Sequence, residues 1–106
     1  MSIAYQDAHG VWRTLRPDFL FFEDGPGGVK TNIVDPHGSW LPDALAKLRG
    51  LARFAEVYGD SFHRIESLSR IDGDLRVLDM TLPEVRKHVL DAIDADSAYR
   101  EASSLY

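Results

Sequence analysis

Two aspartates frame the stretch RPDFLFFEDGPGGVKTNIVDPHGS, residues 16 to 39 of this 106-residue chain. Asp18 follows Pro17 and Asp35 precedes Pro36, on either side of a glycine-rich turn. If the segment folds back about Pro26-Gly27, paired residue numbers sum to 53, as 18 and 35 do. Asp18 then lies directly opposite Asp35 on one face of a sheet, where opposed Cβ atoms are ~4.5–5.5 Å apart. Two like charges at that range are destabilising unless a cation or a shared proton intervenes. Mg²⁺, a hard ion bound through one or two carboxylates plus waters and substrate phosphates, suits such a pair. A slip of one residue in the turn would send one aspartate to the other face, so the chemistry hangs on the register. The alternative is ordinary turn chemistry, since strand-end aspartates beside prolines also cap and bend the backbone.

Two further side chains join this set. His37 shares a face with Asp35 if the backbone stays extended, and could bind metal or orient a water; before Gly38 and Ser39 it reads equally as loop polarity. Lys47 falls at the margin of an apolar helical stripe, so its stem can run along a sheet and carry its ammonium to the strand ends, or simply coat the boundary. His9, His63 and His88 show no metal-ligand spacing. Glu23 and Asp24 read as turn residues, and Trp12 and Trp40 as packing anchors. Gly25, Gly27 and Gly28 lack the Lys-Ser/Thr and helix start of a phosphate-binding loop.

Composition limits what these residues can serve. Hydrophobic residues make up 44% of the chain, enough for one core in one domain spanning residues 1–106. The absence of cysteine excludes disulfides, thiolate zinc sites and a cysteine nucleophile, and fits a reducing compartment. No apolar run approaches the ~20 residues of a membrane span, and the first ten residues lack the pattern of a signal peptide. A cytoplasmic protein away from membranes is the expectation. Net charge is −5, the opposite of the basic excess by which free-standing nucleic-acid binders neutralise phosphates.

The elements that must position the set follow from periodicity. Residues 2–5 and 11–15 flank a turn ending in glycine and predict a first hairpin. FLFF predicts a strand buried on both faces, and VKTNIVD an alternating one with Val29, Thr31, Ile33 and Asp35 on one side. Ser39 as N-cap and Pro42 in the first turn open a helix whose apolar stripe is Leu41, Ala44, Leu48, Leu51, Ala52 and Ala55, closed by Gly59 at C′. FHRIESLSRIDGDLRVLDM predicts a hairpin turning at Asp72-Gly73. Thr81 to Glu84 reads as a capping box for a helix with Val85, Val89 and Ile93 on one side; the last dozen residues extend it or form a short final helix. The order ββββ-α-ββ-α predicts a mixed α+β domain.

Three of these segments resemble a known family. Arg16-Pro17-Asp18-Phe19, then Ile33-Val34-Asp35-Pro36-His37-Gly38, then Asp43 through Lys47 to Gly50 and Ala52 are similar to the C-terminal nuclease-like segment of the restriction subunit of type III restriction enzymes and of related helicase–nuclease proteins. The likeness runs on through Phe62-His-Arg64-Ile65 and Leu75 to Asp79 into Val85-Arg86. It implies a restriction-endonuclease-like mixed β-sheet with flanking helices, the first helix missing, of the PD-(D/E)-x-K kind. Asp18 and Asp35 would then bind Mg²⁺, with Mn²⁺ as a substitute, and Asp18, Asp35, His37 and Lys47 would form the catalytic set. His37 stands where that pattern has lysine and supplies no fixed positive charge at pH 7, so Lys47 would restore it. The partners implied are DNA, held weakly by so acidic a chain, and a helicase/ATPase segment or a modification methyltransferase subunit. Two functions follow: a Mg-dependent DNA endonuclease-like domain hydrolysing phosphodiesters, or a catalytically inactive nuclease-fold module for protein or DNA interaction.

Overall fold

In a computed structural model, the structure describes residues 2–7, 9–16, 19–25, 28–36 and 43–106, with side chains over the same ranges except 19–30. The first hairpin forms as its composition predicts. Strand β1 (Ile3–Gln6) pairs antiparallel with β2 (Trp12–Leu15), from Ile3 opposite Leu15 to Gln6 opposite Trp12. Asp7 organises the turn: its carboxylate accepts from the backbone N–H groups of His9 and Val11 and from the Arg13 guanidinium, 2.6 Å away. These bonds, Arg13 first, hold the Asp7 carboxyl down at about 2.

Strands β3 (Phe19–Gly25) and β4 (Gly28–Pro36) then pair antiparallel in the expected register, from Phe19 opposite Val34 to Gly25 opposite Gly28. Helix α1 (Ala44–Tyr58) follows, and leads through a 3₁₀ turn at Gly59–Ser61 into β5 (Phe62–Ile71). Here the chain does something the alternation alone does not announce: β5 pairs parallel with β4, so α1 is a crossover lying on one face of the sheet. Strand β6 (Asp74–Asp79) returns antiparallel through Asp72-Gly73, whose φ values of 52° and 86° make both central residues left-handed, as a tight hairpin turn of mirror-image type requires. Helices α2 (Pro83–Asp91) and α3 (Ala95–Ala102) and a two-residue strand β7 (Ser104–Leu105), added to β6, complete the order β3-β4-β5-β6-β7. The fold is mixed α+β, with three helices and two sheets among the described residues.

The core sits between that sheet, α1 and the hairpin. Ile33 of β4, Ile65 of β5 and Leu78 of β6 meet Leu48, Leu51, Ala52 and Ala55 of α1, whose other flank takes Ile3, Tyr5 and Leu15. Gly50 lets the hairpin close on the helix: a Cβ there would lie 2.4 Å from the Tyr5 Cβ and 3.4 Å from its Cα. On the far face of the sheet, Val34, Leu68 and Val77 form a smaller apolar cluster beside the buried Asn32, whose amide has no hydrogen-bond partner among the described residues.

Several helix-end expectations need correcting. Gly59 adopts right-handed helical angles and continues into the 3₁₀ turn instead of reversing the chain. Thr81 does not cap α2: its N–H and hydroxyl both donate to Asp79 Oδ1, at 3.0 and 2.6 Å, and Leu82 holds the cap position. α2 stops at Asp91, so Ile93 leaves the apolar stripe and is 87% exposed; Asp94 then caps a separate α3 by accepting from Ser97 N–H at 2.7 Å. The Ser39 cap and Pro42 of α1, the burial of FLFF and the Pro26-Gly27 turn lie outside the described residues.

Candidate functional site

Of the four residues singled out by the sequence, two, Asp35 and Lys47, are among the described residues. Asp18 and His37 lie outside them. Asp35, next to the end of β4, shares the helix-covered face with Ile33 and is 4% exposed. Beside it on β5 is Ser67, whose hydroxyl donates to the Asp35 backbone carbonyl at 3.3 Å and lies 2.8 Å from the Tyr99 hydroxyl of α3. Burial pushes the Tyr99 phenol well above its ordinary range; the Ser67 bond opposes this and the Asp35 charge adds to it. Asp35, Ser67 and Tyr99 thus form a sealed polar group that ties β4 and β5 to α3.

Lys47 belongs to a second group, one turn into α1. Its Nζ is 3.4 Å from Asp43 Oδ2, the oxygen that also accepts from the Tyr5 hydroxyl at 3.4 Å. Burial raises the Tyr5 phenol, with Lys47 opposing. Sequence reasoning sent this lysine to the strand ends; its Asp43 partner was signalled by acid-then-base spacing of four residues on one helix face. Ser67 and Tyr99 gave no signal, because a serine inside a strand and a tyrosine in a short helix declare no partner. Among the described residues no three acidic or histidine side chains converge on a point where an ion could sit. Of the expected pair of cation ligands, Asp18 and Asp35, only Asp35 lies within the described residues.

An open groove lies elsewhere, on the outer side of α1. A groove of about 470 Å³ runs between the hairpin and the helix, lined by Ser2 to Gln6 and Trp12 on one side and by Gly50, Arg53, Phe54 and Tyr58 on the other. Trp12 is 67% exposed and Tyr58 53%, and their chain neighbours Val11 and Val57 are exposed as well. Phe54 anchors the helical wall, with its ring 5.0 Å from that of Tyr58 and 5.4 Å from that of Phe62. Trp12, read from sequence as a packing anchor, is instead a surface aromatic.

The comparisons with known proteins correct the family reading. A family model described as the YagJ family matches residues 1–106. Protein YagJ of Escherichia coli (strain K12) is 42% identical over 99 residues, 93% of this chain and 40% of the relative. This chain thus spans about two fifths of that relative's length. No solved structure matches. The resemblance to type III restriction subunits is overturned, because the match that takes in the whole chain is to a different family. Its short motifs, PD and D-P-H among them, are the common vocabulary of strand ends and turns, and recur wherever a hairpin must stop. The full-length match and the 42% identity together place the chain in the YagJ family.

Proposed function

We propose that this chain is a protein-interaction module that docks a segment of a partner protein in the groove between the hairpin and α1. The carrying observation is the solvent-facing aromatic lining of that groove. Large apolar side chains left exposed side by side, on walls whose inner residues are fully packed, are the ordinary signature of a recognition surface. Trp and Tyr are also the residues that most often dominate binding at such surfaces. Asp35 is buried, and its backbone carbonyl accepts from the Ser67 hydroxyl. Lys47 is engaged by Asp43. The net charge of −5 supports a protein partner over nucleic acid.

The test is site-specific photo-crosslinking in the native host, with the crosslinking residue at position 58 in the groove or at the exposed position 87 on α2. A discrete protein adduct from position 58 that is absent from position 87, and lost when Trp12→Ala is added, is expected. Identical adducts from both positions, or none from either, count against the module. So does Mg²⁺- or Mn²⁺-dependent cutting of supercoiled DNA that Asp35→Asn abolishes.

A further inference from the structure

We propose that the groove receives its partner as an extended strand added to the free edge of β1, with Arg53 gripping an acidic side chain of that strand. This deepens the interaction-module reading and rests on it. Five consecutive residues, Ser2 to Gln6, line the groove. Successive side chains of a strand point to opposite faces, so a cavity lined by both parities runs along the strand's edge and not over one face. Ile3 and Tyr5 face the core, whereas Ala4 and Gln6 face out. Among the described strands β1 pairs only with β2. Among the described residues its other edge is open towards the groove.

The polarity of that edge follows from the turn. Asp7 N–H donates to the Val11 carbonyl at 3.0 Å. In an antiparallel pair, bonded and non-bonded positions alternate. Tyr5 with Arg13 and Ile3 with Leu15 are then the pairs bonded across to β2, and the backbone N–H and C=O groups of Ala4 and Gln6 point outwards. Neither residue's backbone has a hydrogen-bond partner elsewhere among the described residues. An incoming strand would satisfy these groups, the mode by which an exposed sheet edge recognises an extended peptide. Trp12, Phe54 and Tyr58 would take its alternate apolar side chains.

Charge selects the occupant. Arg53 is the one charged residue lining the groove; it is exposed and forms no ion pair among the described residues. A carboxylate on the incoming strand completes it, and a lysine in the same place is repelled. A second copy of this acidic chain is a poorer fit than a partner segment with one acidic residue among β-branched and apolar ones.

The experiment is calorimetric titration of the whole chain with two synthetic octapeptides of alternating valine and threonine, one carrying glutamate and the other lysine at the centre. The glutamate peptide is expected to bind about tenfold tighter, and Arg53→Glu to invert the preference. N-methylation reads the strand geometry without altering the protein. Methylating one alternate set of peptide amides should cost about tenfold, and methylating the other set less than about twofold. Equal effects of the two sets, no discrimination between the peptides, or no binding of either up to about 1 mM overturns the inference. The module reading is judged separately, by crosslinking at position 58 and by the DNA assay, so either can fail alone.

Discussion

Gly50→Ala sets two effects against each other inside α1, and the structure decides between them. Alanine in a helix interior is favoured over glycine by ~0.8–1.0 kcal/mol. The new methyl group, however, would lie 2.4 Å from the Tyr5 Cβ, where an unstrained contact needs about 3.5–4.0 Å. Rotating the tyrosine ring does not relieve this, because the Tyr5 Cα is itself only 3.4 Å from the added atom. The strand backbone has to retreat by roughly 1 Å or more. Over-packing of that kind costs ~1–3 kcal/mol. It also loosens Ile3, Tyr5 and Leu15, all buried against the helix. A net loss of up to about 2 kcal/mol is expected after the helix gain, which lowers the thermal midpoint by up to about 16 °C for a domain of this size. Urea denaturation with unchanged m and a lower midpoint is the readout. Gly59→Ala is the matched control. Its φ of −56° suits any residue and a Cβ there meets nothing within 4 Å, so it should be neutral or stabilising by up to about 1 kcal/mol. If Gly50→Ala proved as stable as Gly59→Ala, the close seating of Tyr5 on α1 would be wrong, and with it the shape of the groove.

Three other perturbations report on the polar groups. Tyr99→Phe removes the hydroxyl 2.8 Å from Ser67 and should cost about 1–2 kcal/mol in urea melts. In the parent chain the phenol's folded value lies above its unfolded value near 10, so this contribution is complete below pH 10 and falls as pH rises beyond it; alkaline melts of Tyr99→Phe should lack that component of the slope. Glu66, on the far face of the sheet, has its carboxyl raised by burial and, less strongly, by Asp79. Its folded form holds the proton more tightly than the unfolded chain, so stability declines as pH rises from below 4.5 through the folded value; Glu66→Gln should raise the midpoint at pH 7 and make no difference well below pH 4. Asp7→Asn keeps the shape of the turn but removes the charge that Arg13 grips at 2.6 Å, and amide exchange in residues 3–15 should accelerate while that of β5 and β6 is unchanged.

Much of this fold could be read from periodicity, because burial enforces it. The two-residue Asp72-Gly73 turn, the alternation of β4 and the stripe of α1 are local patterns with one dominant solution each. The pairing number of 53 likewise held from Phe19 to Gly25. What could not be read was partnership across the chain. Nothing in FHRIESLSRI says that it lies parallel to β4, since a parallel neighbour is chosen by the crossover helix and not by residues in the strand. Tyr99 meets Ser67 across 32 positions in sequence, and neither residue type is specific to such a meeting. Thr81 and Glu84 had the right spacing for a capping box, yet Asp79 competes for Thr81 at 2.6 Å and wins, because its carboxylate is a charged acceptor two residues away. Lys47 was placed correctly at the margin of the stripe, but a flexible lysine takes the nearest carboxylate, and that is Asp43.

The sealed aspartate and the open groove have a common origin in the length of α1. Fifteen residues at 1.5 Å each span about 22 Å, while the four residues of β1 span about 13 Å. The five-stranded sheet packs on the inner face of the helix, and α3 packs on β5 and β6, so Asp35 ends up buried beside Ser67 and Tyr99. The hairpin on the outer face is not long enough. It seats on α1 at Gly50, where the missing side chain permits contact, and the two turns beyond reach Phe54 and Tyr58 without cover. An aromatic wall beside an unpaired strand edge is the consequence. Lengthening β1 by two residues would extend its cover by about 7 Å and bring the hairpin over Phe54. Such a variant should gain stability and lose the groove together.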